Sequence, residues 1–322
     1  MNEVKVSASP NIAFIKYWGK KQTEGDENKN LALNPSLSMT LSKAQTTVIL
    51  TESSEFELFI QKTIASPKDQ EKIKAHIHRI ETYLGHSLKP FHMDSFNNFP
   101  TGTGIASSAS SFAALTVAFL SWSLGKEKVK ELLHSDAQSL ANLARRGSGS
   151  ACRSLQGPFV EWQEKKTTVI SSDWKLYDTI VIFSKKEKSV SSTQGHAYAT
   201  LSPLFPQRLK EIPERLRLVK SAIQEKNIHT LGTLLETEAE QMHTIMRENP
   251  HPVEYQLPDT KLFLKNLKEI SGRDIYYTLD AGPNAHVISE RPIKDEIQSL
   301  LNALNLEAEI WEDEVGFGPT LY

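Results

Sequence analysis

Between residues 107 and 124 the chain carries no charged side chain, and Phe112, Ala113, Leu115, Phe119 and Leu120 make it largely apolar before Gly125 ends the run. Read as a helix, such a segment is apolar on nearly every side. It therefore has to be buried, as a central element packed on a sheet. The residues leading into it are Asn97-Asn98-Phe99-Pro100-Thr101-Gly102-Thr103-Gly104-Ile105-Ala106-Ser107-Ser108-Ala109-Ser110-Ser111. Two glycines free the backbone and serines follow where the helix starts. A glycine-rich loop feeding a helix N-terminus points unpaired N–H groups and a positive dipole end outward, which suits phosphate. A helix capped by Ser107 or Ser108 behind an ordinary glycine turn accounts for the same residues. The loop is not a P-loop, which ends in Gly-Lys-Ser/Thr. Nor is it a dinucleotide fingerprint, because Ser107 stands where the third glycine belongs.

The 322 residues allow one large or two ordinary domains with ample core. Lys and Arg number 37 against 39 Asp and Glu, a formal net charge of −2. That balance gives no general attraction to nucleic acid or an anionic membrane, so an anionic ligand must be held by local cations. No apolar run approaches the roughly 20 residues of a membrane helix. Residues 1–10 lack the charged start and apolar core of a signal peptide. A single cysteine, Cys152, excludes an internal disulfide and a cysteine-based metal cluster. The histidines form no His-x-x-x-His pair beside a carboxylate, so protein-ligated zinc is not expected. The expectation is a cytoplasmic enzyme or binding protein, with neither nucleic acid nor membrane as partner.

Strand-like patterns fall at residues 4–15 (interrupted by Ser9-Pro10-Asn11), 37–41, 46–50, 56–60, 159–162, 167–171, 179–184, 274–279, 285–288 and 308–311. Helical spacing marks 69–84, 107–124, 129–146, 206–225, 228–247, 260–270 and 293–304. Strands come in clusters rather than alternating strictly with helices, which predicts an α+β fold. The charged tetrapeptide Lys185-Lys186-Glu187-Lys188 suggests two domains, approximately 1–184 and 185–322.

Three further stretches pack glycine, hydroxyl and charge together. Lys16-Tyr17-Trp18-Gly19-Lys20 offers two point charges for phosphate or carboxylate, with Trp18 to exclude water. A strand end with solvated lysines is the plainer reading. In Arg145-Arg146-Gly147-Ser148-Gly149-Ser150-Ala151-Cys152-Arg153-Ser154, alternating glycine and serine expose backbone N–H groups and hydroxyls. Arg153 can clamp a carboxylate or phosphate bidentately. The alternative, a flexible turn with a surface arginine, fits less well between arginines directly after a helix. Cys152 reads as a small packed residue, since no neighbouring base marks it as a nucleophile. Finally, Asp280 ends a strand at Tyr277-Thr278-Leu279-Asp280-Ala281-Gly282-Pro283-Asn284-Ala285. It is either an ordinary turn aspartate or a carboxylate thrust into a cleft as base or orienting group.

Together these motifs resemble the diphosphomevalonate decarboxylases of the GHMP small-molecule kinase superfamily, over nearly the whole chain. Asn11-Ile12-Ala13 with Ile15-Lys16-Tyr17-Trp18-Gly19-Lys20 is similar to the family's N-terminal signature, and Asn98 through Ala109 to its phosphate loop. Arg146 through Ser154, with Gly157 and Phe159-Val160-Glu161-Trp162, is similar to its substrate motif. Ser191-Ser192-Thr193-Gln194-Gly195 and Asp280 through Ala285 complete the set in family order. The resemblance implies a two-domain GHMP-kinase-like fold with an active-site cleft between the domains. It further implies ATP as co-substrate, Mg²⁺, and mevalonate 5-diphosphate as substrate. The γ-phosphoryl group would pass to the tertiary C3 hydroxyl, and loss of phosphate and CO₂ would leave isopentenyl diphosphate.

By the same resemblance the catalytic set is Asp280, Lys16 and Arg153. Asp280 would lie near the C3 hydroxyl, Lys16 would neutralise charge beside it, and Arg153 would hold the substrate carboxylate. Tyr17, Trp18, Gly19, Lys20, Ser148, Gly149, Ser150, Ala151, Cys152, Ser192 and Thr193 would line the substrate. Asn97, Pro100, Gly102, Gly104, Ala106, Ser107 and Ser108 would wrap the ATP phosphates, with Ser107 or Ser108 on phosphate or Mg²⁺. Dimers are common in the family, yet no exposed apolar helix face stands out here to mark a homodimer interface.

The chain departs from the family pattern in several places. Residues 22–30 lengthen the loop after Lys20, and residues 32–38 are an altered version of the segment that follows. Ser110-Ser111 stand where Ala-Gly is usual. His196 replaces the methionine that usually follows Gly195, either as a titratable group acting on affinity or pH dependence or as a solvated or satisfied histidine. Alternative activities within enzymes are decarboxylation of mevalonate 5-phosphate or C3 phosphorylation without decarboxylation. Retention of Lys16, Arg153 and Asp280 argues against a pure kinase. A catalytically silent nucleotide- or substrate-binding protein is the alternative of another class, disfavoured because Asp280 and the serine loop are both present.

Overall fold

The computed structural model describes residues 3–100, 107–186, 190–271 and 274–322, with the side chains at 192–193 and 268–271 outside that description. Among the described residues, three sheets carry the chain. A six-stranded sheet runs in the order Thr320–Leu321, Glu3–Ala8, Thr46–Glu52, Phe91–Asn97, Glu57–Ile60, Thr63–Ile64. Its pairs are antiparallel except Glu57–Ile60 on Phe91–Asn97, which is parallel. The strand Phe91–Asn97 escaped sequence reading, although Phe91, Met93 and Ser95 alternate inward along it.

Four helices cover one face: α1 (Pro67–Leu84), α2 (Ser107–Leu124), α3 (Lys126–Ser135) and α4 (Ala137–Gly147). The start of α1 is set by Ser66, whose hydroxyl accepts the Asp69 N–H at 3.2 Å, and by Pro67, whose ring presets the first helical dihedral. Gly85, left-handed at φ 77°, stops it. As its composition requires, α2 is the central element. Val117, Phe119 and Leu120 are wholly buried, and Phe119 stacks on Phe91 of the sheet with ring centroids 5.3 Å apart. Among the described residues α2 alone is long and apolar enough to cross a membrane, and two thirds of it is buried inside the fold. The single helix expected over 129–146 is two. Asp136 leaves helical geometry at φ −135°, and its carboxylate accepts the Tyr83 hydroxyl at 3.0 Å.

A second sheet orders Asn11–Ile15, Ser36–Thr40, Phe159–Gln163 and Lys166–Ile170; the third orders Ile275–Leu279, Ala285–Ser289, Tyr177–Ile182 and Glu309–Glu314. The later helices are α5 (Ser192–Ala199), α6 (Phe205–Glu225), α7 (Ile228–Arg247), α8 (Pro258–Ser271) and α9 (Lys294–Ala303). Ile12, Phe14, Met39 and Phe159 share one apolar core with Ile180 and Ile288 of the third sheet and with Ile212, Val219, Leu231 and Leu235 of α6 and α7. The second and third sheets are thus joined by packing as well as by chain. Tyr177–Ile182 pairs on both sides with strands of the C-terminal half. A division at residue 185 therefore cuts behind the central strand of the third sheet. The Lys185-Lys186 charge run follows that strand instead of preceding it.

Candidate active site

The strand Asn11–Ile15 delivers Lys16 into the interior, where its side chain is only 2% exposed. Its ammonium donates to the Ala13 carbonyl at 2.7 Å and to Asp280 Oδ1 at 2.8 Å. A buried cation is tolerated only when paired and hydrogen-bonded, and here it is both. Asp280, at the end of Ile275–Leu279, is 25% exposed. Its carbonyl accepts the Gly282 N–H at 2.8 Å, which closes the turn. The backbone of Lys16 is pinned as well. Its N–H donates to Glu238 Oε1 at 2.9 Å, and its carbonyl accepts from Asn34 at 3.0 Å and Arg208 at 3.2 Å. Glu238 and Arg208 are fully buried, and Arg215 binds the second Glu238 oxygen. Burial pushes the Glu238 carboxyl upward, but the two guanidinium groups outweigh it and hold it below the usual carboxylate range.

Arg153 lies in the 3₁₀ segment Gly149–Leu155 behind α4 and is also 2% exposed. Its Nε donates to Ser38 Oγ at 2.9 Å and Asn11 Oδ1 at 3.2 Å, while another guanidinium nitrogen binds Ser36 Oγ. The Trp162 ring lies 5.8 Å from its central carbon. Each of these hydrogen-bond partners is a neutral oxygen. Burial pushes the Arg153 pKa down, and the negative charge of Asp280 opposes that shift.

Around this centre the Ser148–Cys152 segment packs on Tyr17. A Cβ on Gly149 would meet the Tyr17 ring at 2.5 Å, so the close approach requires glycine. Tyr17 donates its hydroxyl to the Asn30 carbonyl at 3.1 Å, its ring meets Trp162 at 4.7 Å, and burial raises its pKa and keeps it protonated. Ser148 Oγ lies 3.1 Å from Ser108 Oγ, which joins the segment that follows α4 to the start of α2. The Ser150 carbonyl accepts from Asn11 at 3.2 Å, and Ala151 is buried. Cys152 donates to the Gly149 carbonyl, and burial lifts its thiol to about 12, which leaves it a packed residue and no nucleophile.

Trp18 is buried, and Gly19 takes φ 81°, a left-handed backbone suited to glycine. The Gly19 N–H donates to His196 Nδ1 at 3.1 Å, and the imidazole lies 4.3 Å from the Tyr17 ring and 4.9 Å from Trp18. His196 is therefore buried and hydrogen-bonded, not solvated. Lys20 reaches Asn30 Oδ1 at 3.0 Å, and burial lowers its pKa, with Lys29 adding to the effect. The longer loop at 22–30 is pinned in place. Asp26 takes Arg79 at 2.8 Å, Arg145 donates to the Glu27 and Lys29 carbonyls, and Asn30 donates to the Arg145 carbonyl at 3.0 Å.

Of the expected ATP contacts, Gly102, Gly104 and Ala106 lie outside the described residues. Asn97 accepts the Thr46 hydroxyl at 2.7 Å, and Pro100 is half-buried. Ser107 begins α2 and its carbonyl accepts the Ser111 hydroxyl at 2.7 Å, while Ser108 is exposed. Ser192 and Thr193 open α5, with their side chains outside the description; Ser191 caps that helix in a reciprocal box with Gln194. Among the described residues no cluster of three or more His, Cys, Asp or Glu side chains is gathered as a metal cage.

Sequence reading missed Glu238, Arg208, Arg215 and His243, and it placed Asn11, Ser36 and Ser38 in family-like segments without giving them a role. For Glu238 a signal exists. Leu231, Leu235, Glu238, Met242 and Ile245 form one buried stripe of α7, with a carboxylate where an apolar residue belongs.

Residues 8–173 match the diphosphomevalonate decarboxylase-like N-terminal domain, and residues 179–316 the mevalonate 5-diphosphate decarboxylase C-terminal domain. The diphosphomevalonate decarboxylase of Candida albicans is 34% identical over 330 residues, covering 94% of this chain and 88% of that protein. The crystal structure of mevalonate diphosphate decarboxylase from Staphylococcus aureus superposes with a TM-score of 0.85 at 29% identity, over 99% of this chain and 98% of that one. A structure of MDDEF in complex with MVAPP, AMPPCP and magnesium gives a TM-score of 0.83 at 29% identity, over the same shares of the two chains. By sequence and by fold alike, the chain belongs to the diphosphomevalonate decarboxylase family.

Proposed function

We propose that this protein catalyses the ATP-dependent decarboxylation of mevalonate 5-diphosphate, giving isopentenyl diphosphate, ADP, phosphate and CO₂. The observation that carries the site assignment is the Lys16–Asp280 contact of 2.8 Å, which joins a buried ammonium to a carboxylate that still reaches the surface. Asp280 orients the C3 hydroxyl and takes its proton as the oxygen attacks the γ-phosphorus of ATP. Lys16 neutralises the charge that gathers there. A loose phosphoryl-transfer transition state needs alignment and neutralisation more than a strong base. The new C3 phosphate then leaves with its bonding electrons. Electrons of the C–CO₂⁻ bond form the alkene as CO₂ departs. Arg153 holds the substrate carboxylate, supplying a cation whose hydrogen bonds in the protein go to neutral oxygens.

Tyr17 to Lys20, Ser148 to Cys152, Ser192 and Thr193 surround the substrate, and Asn97 to Ser108 wrap the ATP phosphates. Mg²⁺ keeps water and phosphate oxygens as most of its ligands, so a single hydroxyl from the protein suffices. Ser108, exposed at the start of α2, fits that role with Ser107 beside it, and the ion would supply charge neutralisation at the phosphates. The domain division belongs between Ile170 and Tyr177, ahead of the third sheet, in place of residue 185. Cys152, buried and unpaired, suits a reducing cytoplasm.

The test is an assay with ATP, Mg²⁺ and, in parallel, mevalonate 5-diphosphate, mevalonate 5-phosphate and mevalonate. Release of CO₂ and phosphate with the diphosphate alone is expected. ADP formed without CO₂ would make the protein a kinase, CO₂ from the monophosphate would move the substrate, and no turnover would leave a binding protein.

A further inference from the structure

Helix α7 runs beneath both members of the Lys16–Asp280 pair, which lie 264 positions apart in the chain. Glu238 accepts the Lys16 N–H at 2.9 Å. Five residues further along, His243 Nε2 lies 3.2 Å from the Asp280 carbonyl oxygen. Between them Glu240 accepts the Tyr277 hydroxyl at 2.6 Å, on the strand that leads into Asp280. One helix thereby fixes the backbone on each side of the contact.

His243 is 1% exposed. A carbonyl oxygen only accepts, so Nε2 must carry the proton. Nδ1 is then a bare acceptor, and it has no hydrogen-bond partner among the described residues. Burial lowers the pKa to about 4, opposed by the bond to Asp280, with Lys16 and Arg247 lowering it and Glu254 raising it. The ring stays neutral at working pH. Its neighbours Met242, Ile245, Met246 and Ala281 belong to an apolar cluster, and Tyr255 meets it edge-on at 6.0 Å. Packing alone would be served by leucine or methionine. An imidazole that leaves one nitrogen unpartnered in such surroundings is explained by what the other nitrogen does.

We propose that His243 is a positioning residue: its Nε2–H fixes the Asp280 backbone so that the carboxylate stays on Lys16 while facing the C3 hydroxyl. This rests on the reading of Asp280 given above. The test uses the full-length enzyme and two variants. His243→Gln places an amide N–H near the Nε2 position, and His243→Leu keeps comparable bulk without a donor. For His243→Leu, kcat should fall ~30-fold with KM for both substrates within about twofold, as for an interaction that matters only in the transition state. His243→Gln should recover to within about fivefold of wild type. Undiminished kcat in His243→Leu would overturn the proposal. So would a loss confined to KM, or a glutamine variant no better than leucine. Should His243→Leu fail to fold, the wild type still decides. Nitrogen-15 histidine NMR, with the signal assigned by its absence in His243→Gln, should show a neutral ring protonated at Nε2 from about pH 6 to 9. An Nδ1–H tautomer or an imidazolium would refute the proposal. Wild-type turnover is measured alongside, and its absence would remove the reading of Asp280 while the tautomer result stands by itself.

Discussion

Lys16 and Arg153 are buried to the same degree, each 2% exposed, yet they are neutralised in different ways. Lys16 holds a carboxylate at 2.8 Å and has its backbone pinned from three directions. Arg153 is held as firmly, but by Ser36, Ser38 and Asn11, none of which carries charge. Geometry without neutralisation is a poor way to stabilise a fold, because desolvating a guanidinium costs several kcal/mol that neutral oxygens only partly offset. It is a good way to prepare for an anion. On the proposed reading, Lys16 belongs to a preset pair whose value lies in alignment, and Arg153 offers its charge to the substrate carboxylate.

That contrast predicts effects of different size and kind. The largest is at Asp280. Asp280→Asn should lower kcat by roughly 10²–10⁴-fold, measured by CO₂ release, since it removes the proton acceptor and leaves Lys16 without its carboxylate. Near-normal turnover would take Asp280 out of the reacting centre. Next comes the support beneath Lys16. Glu238→Gln leaves Arg208 and Arg215 buried without their shared anion and should cost about 3–5 kcal/mol in denaturant unfolding. Because the folded state holds the Glu238 carboxyl below its ordinary value, its contribution is complete above the ordinary carboxylate range. It is lost as pH falls through the depressed folded value. Wild-type stability should therefore drop in acid more steeply than that of Glu238→Gln.

Arg153→Met should raise KM for mevalonate 5-diphosphate about 100-fold, equivalent to ~2.7 kcal/mol of binding. Its apo melting temperature should hold or rise, because a buried charge whose hydrogen-bond partners among the described residues are neutral is replaced by an apolar side chain. The smallest effect lies at the loop tip. Asp26 pairs with Arg79 but is nearly half exposed, so Asp26→Asn should cost under about 1 kcal/mol in the same unfolding assay.

The two cations also mark how far the sequence could be read. Residues near one another in the chain could be singled out: Lys16 to Lys20, Ser148 to Arg153, and Asp280 with its turn each gather glycine, hydroxyl or charge, although their composition left the plainer readings open. The apolar run of α2 gave its own burial for the same reason. What the sequence concealed is held together across long separations. Glu238 meets Arg208 and Lys16 from different elements, and His243 meets a carbonyl, a contact that leaves no residue type to find at the other end. The break at Asp136 was hidden because apolar spacing runs on through it. The boundary proposed ahead of Tyr177, in place of 185, left no mark in composition. Charge density marks solvent exposure, and a surface run can follow a sheet's central strand as readily as it separates domains.

The division of labour between the two cations is tested most directly by calorimetric binding of mevalonate 5-diphosphate, without nucleotide, to Arg153→Met and Lys16→Met side by side. Affinity should fall about 100-fold in Arg153→Met and stay within about fivefold of wild type in Lys16→Met. Equal losses in the two variants, or a larger loss in Lys16→Met, would contradict it.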